Sequence, residues 1–223
     1  MRNTLASRAQ DTLRLLLNDS DMAKYVDARY DLPRPYRGDG PIKLIVLGQD
    51  PTIKNAAGRA NIKTVLNLDK PRSVWLYLQG ICRGLGLDLK HNVYATNLYK
   101  NFFTEPPTQI KQMDIFSAFL PAWLPILIEE LAPFENVPVI SLGEPLLKAI
   151  LGTRGPKRLR DFWGYTANWT AGSLDPLGYV KPEENILARR IFPFPHQPSL
   201  RKEFYKVQMD TYISFLRSEA FAT

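Results

Sequence analysis

Ile42-Lys-Leu-Ile-Val-Leu-Gly48 is a short, almost unbroken apolar run rich in branched side chains. A strand buried on both faces reads this way, whereas a strand with one wet face alternates apolar and polar residues. The run therefore commits the chain to a sheet covered on both sides. Comparable runs recur at residues 92–97, 137–142 and 189–194. Helical stretches lie between them: 73–83, closed by Gly84; 113–131, where Pro121 and Pro125 should break or kink the helix; and 145–151, closed by Gly152. A last helix is expected over 200–218, an amphipathic one over 3–17 and a short one over 21–30, with a Pro- and Gly-rich loop over 31–40. Strands alternating with helices imply right-handed βαβ units. The expected fold is a three-layer α/β/α sandwich around a central four-stranded parallel sheet. At 223 residues, with no repeat, low-complexity tract or linker, it should form one domain over 1–223, with 1–40 a helical extension packed on it.

Composition narrows the chemistry. The one cysteine, Cys82, excludes an internal disulfide framework, a four-cysteine zinc site and a cysteine-held iron–sulfur cluster. No run of about 20 apolar residues stands out as a membrane span. The start, Met1-Arg2-Asn3-Thr4, lacks the apolar core of a secretory signal. A cytoplasmic protein is expected, so the Asn-x-Ser/Thr triplets at Asn18 and Asn168 read as chance. The 29 Lys and Arg against 22 Asp and Glu give a net charge of +7. That balance suits a partner such as nucleic acid, and equally a solvated basic surface.

In a parallel sheet, ligands bind beyond the carboxyl ends of the strands. Gln49, Asp50, Pro51 and Thr52 follow the first strand, Asn97 ends the second, Gly143-Glu144-Pro145 follow the third, and Pro195-His196-Gln197-Pro198-Ser199-Leu200 follow the fourth. Three strand ends thus carry a carboxylate, an amide and an imidazole. Each also has a structural explanation: Asp50-Pro51 as a turn, like Asp175-Pro176; Asn97 as a turn cap; His196 as a loop residue. His91, the other histidine, reads as an ordinary surface residue.

Gly48-Gln49-Asp50-Pro51, Val93-Tyr-Ala-Thr-Asn97 and His196-Gln197-Pro198-Ser199-Leu200, taken in order, resemble the uracil-DNA glycosylases. The main branch of that family carries Gly-Gln-Asp-Pro-Tyr-His, a later strand ending in Asn, and His-Pro-Ser-Pro-Leu. The Ser-Leu-Gly-Glu-Pro-Leu-Leu segment agrees too, and the likeness spreads over residues 42–216. It implies hydrolysis of the bond between uracil and deoxyribose in DNA. Asp50, ionised at neutral pH, would activate water and stabilise the sugar cation. His196 would donate to uracil O2 as negative charge grows there. Asn97 would read uracil N3–H and O4, and Gln49 would bond O2. Leu200 would enter the base stack as the nucleotide is rotated out, while Pro195, Pro198, Ser199, Arg201 and Lys202 approach the DNA backbone. No metal or cofactor is implied; the partner is uracil-containing DNA and the protein a monomer, with no membrane contact. A uracil- or DNA-binding homologue of weak or altered activity, and a glycosylase for another damaged base, remain open.

The sequence departs from that pattern where the family excludes thymine and stacks a ring on uracil. Thr52 and Ile53 stand in place of Tyr and His, and residues 60–67 contain no aromatic. Leu66 or Asn67 could take the ring's place, or Tyr99 or Phe102 could supply one. Arg154, Lys157, Arg158 and Arg160, followed by Phe162, Trp163 and Tyr165, interleave cations with rings in a way that suits either a nucleic-acid strand or a solvated loop.

Overall fold

A computed structural model describes residues 4–152, 157–165, 176–197 and 202–221. Five strands form one mixed sheet in the order β1-β3-β2-β4-β5: β1 (Tyr36–Arg37), β2 (Leu44–Gly48), β3 (Val93–Asn97), β4 (Val139–Leu142) and β5 (Ile191–Phe194). The last four in chain order run parallel, and every residue in them is buried, as their continuous apolar sequences require. The expected sheet of four strands is corrected to five. β1 joins the edge antiparallel to β3, with Tyr36 opposite Ala95. Two residues inside a Pro- and Gly-rich stretch have no periodicity to betray a strand. The 1–40 segment is therefore part of the sheet as well as helical.

The helices are α1 (Leu5–Asn18), α2 (Ser20–Ala23), α3 (Ala56–Arg59), α4 (Ser73–Gly84), α5 (Leu89–Asn92), α6 (Ile115–Leu131), α7 (Glu144–Leu151) and α8 (Glu203–Phe221). α6 packs with α1 and α7, whereas α4 packs with α8. The crossover through α4 leads from β2 to one neighbour, and those through α6 and α7 lead the other way. Right-handed connections then put the two helical groups on opposite faces. The fold is α/β and compatible with three layers.

Other expectations change for local reasons. The helix expected over 21–30 stops at Ala23, and Asp27 instead gives its N–H to the Phe102 carbonyl. Gly84 lies inside α4, where a Cβ would meet Ile213 of α8 at 2.7 Å, and the turn out of the helix falls on Gly86. α6 runs unbroken through Pro121 and Pro125, anchored by Phe119, Trp123 and Leu127, all fully buried. Contrary to the expectation of no such stretch, 115–134 is long and apolar enough to cross a membrane by length and composition alone. Its hydrophobicity has a packing reason, since α6 is covered by the sheet, α1 and α7.

Candidate active site

β2 and β3 end level with each other, Gly48 opposite Asn97. The ladder continues past the strands: the Leu98 N–H donates to the Gly48 carbonyl and the Tyr99 N–H to that of Gln49, both at 2.9 Å. Asn97 is 1% exposed, and its Oδ1 lies where a Cβ on residue 48 would stand. Only glycine leaves that room. The oxygen itself bonds to no described residue. A buried acceptor without a partner costs about 1–3 kcal/mol, so Asn97 is set for a donor that the described fold does not supply.

Leu66 closes on the same glycine, its Cδ2 3.1 Å from the position of that absent Cβ. Leu66 and Asn67 both have left-handed backbone, at φ 56° and 55°. Asparagine tolerates this region; for leucine it costs roughly 1–2 kcal/mol. Asn67 Oδ1 is also buried and unpartnered. Strain and unmet hydrogen-bonding capacity thus coincide beside Gly48, a combination more common at binding sites than in a packed core.

Asp50 sits just beyond β2. Its Oδ2 accepts from the Gln49 amide at 2.7 Å and its Oδ1 from the Thr52 N–H at 2.7 Å. The residue keeps some surface, but its carboxyl group is densely enclosed. Burial pushes its pKa up, against the pull of Thr52, Gln49 and the Arg59 charge. The expectation of an ionised Asp50 rested on the ordinary carboxylate value, and burial moves this group upward from it. The Gln49 side-chain amide gives an N–H to Asp50, which leaves its backbone for the bond to O2 that the resemblance implies. The Thr52 hydroxyl accepts from the Phe103 N–H at 2.8 Å, so this side chain pins the turn to the segment after β3. Pro51 is buried beneath it.

His196 follows β5 and packs against Gly143, whose φ of +92° and 3.3 Å approach to the His196 Cβ both favour glycine. The histidine is exposed as a residue, yet partial burial of its ring lowers the pKa. The neutral imidazole is therefore the form held at neutral pH. Tyr77 of α4 donates to the Pro195 carbonyl at 3.0 Å and so fixes the start of this loop. Pro195, expected at a DNA backbone, is itself buried. Pro198, Ser199, Leu200 and Arg201 lie outside the described residues; Lys202 is exposed.

The sheet thus sets Asn97, Gln49–Asp50, Gly143 and His196 along one carboxyl edge, and packs Asn97 and Leu66 together at Gly48. Of the rings considered for stacking, Tyr99 is fully buried with its hydroxyl on the Phe116 carbonyl, and Phe102 packs against Tyr30 in the interior. The 157–165 stretch is corrected likewise: Phe162 and Trp163 are buried, Trp163 stacks on Tyr212, and Lys157 pairs with Glu184. Phe162 and Trp163 belong to the core, Tyr165 is half-buried under the Arg160 guanidinium, and Arg154 lies outside the described residues. His91 is exposed and pairs with Asp39.

Sequence reasoning missed Arg59 and Tyr77. Arg59 is 2% exposed; its Nε donates to the Ile53 carbonyl at 3.0 Å, and its Nη1 reaches Asp27, the Phe103 carbonyl and the Thr104 carbonyl. It ties the Asp50 loop to two distant segments. Arg59 and Tyr77 carry no local signal, whereas Gly143 was placed at its strand end from sequence without the role its backbone now shows. Among the described residues, no three acidic, histidine or cysteine side chains gather to hold a metal. Clefts of about 620 and 440 Å³ open elsewhere, the first between α6 and α7 beside Asp114 and Glu144, the second beside Arg34 and Arg59. Neither is lined by Asp50, Asn97 or His196. Comparison with protein-family models and with curated proteins finds no match.

Proposed function

We propose that the protein is a DNA repair glycosylase that removes uracil from DNA by hydrolysis and leaves an abasic site. The observation that carries this reading is the Asn97 amide, folded over Gly48 with a buried, unpartnered oxygen, on the same sheet edge as Asp50. That oxygen is a ready acceptor for uracil N3–H, and the same amide can donate to O4. Cytosine presents the reverse polarity at both positions, and each mispaired buried group costs about 1–3 kcal/mol.

In the proposed reaction, a water oxygen attacks C1′ of the flipped deoxyribose. The C1′–N1 bond breaks with its electron pair going to uracil, and Asp50 takes the proton from the water. Gln49 and Thr52 hold the carboxyl group in place. Neutral His196 donates from its ring N–H to uracil O2, a bond that strengthens as charge builds there. Leu66, held in left-handed backbone against Gly48, fills the place an aromatic ring takes in the family that the motifs resemble. The reading takes the protein as a cytoplasmic monomer acting on uracil-containing DNA, with no cofactor called on. The rival reading is a homologue that binds uracil but cleaves it slowly.

Oligonucleotides bearing uracil, thymine, hypoxanthine or unmodified cytosine, assayed for abasic-site formation, test the proposal. Multiple turnovers on the uracil strand alone are expected. Binding without turnover would favour the rival, and release of hypoxanthine in preference to uracil would reassign the base.

A further inference from the structure

Beside the Asp50 loop, the 27–34 segment and the 59–63 segment enclose a cleft of about 440 Å³. Its walls carry Arg29, Arg34, Arg59 and Lys63 against one carboxylate, Asp31. Asp27, behind the wall, is shared between Arg29 and Arg59. Arg34 and Lys63 are exposed, have no acidic partner among the described residues, and are held side by side by the bond from the Arg34 N–H to the Lys63 carbonyl at 3.0 Å. Arg59 differs from a surface cation. Its Nε and Nη1 carry all its bonds to described residues and Nη2 has none, while the residue lines the cleft.

A buried guanidinium with one end uncommitted, flanked by two unpaired cations, suits an oxyanion with several acceptor oxygens. The walls of the cleft are tied through the chain to the candidate site, although the cleft itself is not lined by its residues. Val65 donates to the Arg34 carbonyl at 2.9 Å, and the next residue, Leu66, lies against Gly48. The other wall, Arg59, holds Ile53 three positions beyond Asp50.

We propose that this cleft binds backbone phosphate of a nucleic-acid strand, seating the strand beside the nucleotide that enters the site. The inference rests on the glycosylase reading for its choice of strand, while the cleft's charge stands independently of it. Arg34 and Lys63 contact the phosphates directly, and Arg59 anchors the wall between them and the Asp50 loop.

The test is the affinity of the full chain for a short, uracil-free single strand, measured by fluorescence anisotropy between 50 and 200 mM salt. The Arg34→Gln/Lys63→Gln variant is expected to bind roughly tenfold more weakly, with a salt slope flatter by about 1.4. Its melting temperature should match the unaltered protein, since both side chains are exposed and unpaired. Unchanged affinity and slope would overturn the cleft and leave the glycosylase reading intact if uracil is still released. A fall in strand affinity in a protein that releases no uracil would uphold the cleft and sink the glycosylase reading. Millimolar inorganic phosphate that raises the melting temperature of the unaltered protein but not of the variant, with no measurable strand binding, would make this a free-phosphate site and overturn the nucleic-acid occupant.

Discussion

On the α6 side of β3, Tyr94 and Thr96 donate to Glu130, and Lys100 bonds both Glu130 and the Thr96 hydroxyl. On the other side, Asn97 holds an oxygen that bonds to no described residue. Burial does not separate the two sites: Glu130 is 5% exposed, Lys100 8% and Asn97 1%. Satisfaction does. The first cluster closes on itself although a cavity of about 560 Å³ opens beside it, so its polar groups are spent on the fold. The second leaves a buried amide oxygen unpartnered next to a strained Leu66 and a carboxyl group whose pKa burial has raised. Neighbouring residues on one strand thus serve structure and candidate chemistry in turn, because alternate side chains point to opposite faces.

The sharpest probe of this contrast is Asp50→Asn. Loss of the proposed base should lower uracil release by about 10²–10⁴-fold. The same change should raise the melting temperature at neutral pH. A carboxyl group whose folded pKa lies above its unfolded value stabilises the fold below the unfolded value, and that contribution is lost as pH rises through the folded one. The unaltered protein should therefore lose stability relative to the variant over that window, and its rate should show an acid limb displaced above the ordinary carboxylate range. Parallel pH-melting curves for the two proteins would remove Asp50 from its buried setting.

Glu130→Ala tests the opposite side. It strands the Lys100 ammonium in the interior and should cost about 3–5 kcal/mol in urea unfolding. A loss below about 1 kcal/mol would mean that the cluster is wet, and the contrast would collapse. Gly48→Ala should cost about 1–3 kcal/mol through overpacking. It should also weaken discrimination between uracil and cytosine, because the new methyl occupies the site of Asn97 Oδ1. The smallest stability effect is expected for Asn97→Ala, within about 1 kcal/mol, since no bond to the described protein is broken. Selectivity should fall all the same; unchanged discrimination would take Asn97 out of base recognition.

Much of this arrangement was legible in the chain. Short, largely apolar runs marked all four parallel strands, the first most clearly, and the strand-end rule then brought Asp50, Asn97 and His196 to one edge. What escaped the sequence depends on partners far along the chain. β1 is two residues long and exists only because β3 offers an edge. The Gln49 amide turns to Asp50 and Thr52 to Phe103, choices set by the packed loop and invisible in residue type. Phe162 and Trp163 looked like rings for a nucleic-acid strand because sequence cannot tell an exposed aromatic from one stacked on Tyr212.

Arg59 joins the Ile53 carbonyl to Asp27 and to the carbonyls of Phe103 and Thr104, segments 32 to 45 positions away. Contacts of such sequence separation are slow to form, since the intervening loops must close before any bond is gained. The turn bearing Asp50 is thus held by bonds that exist only when the N-terminal segment and the stretch after β3 have both reached Arg59.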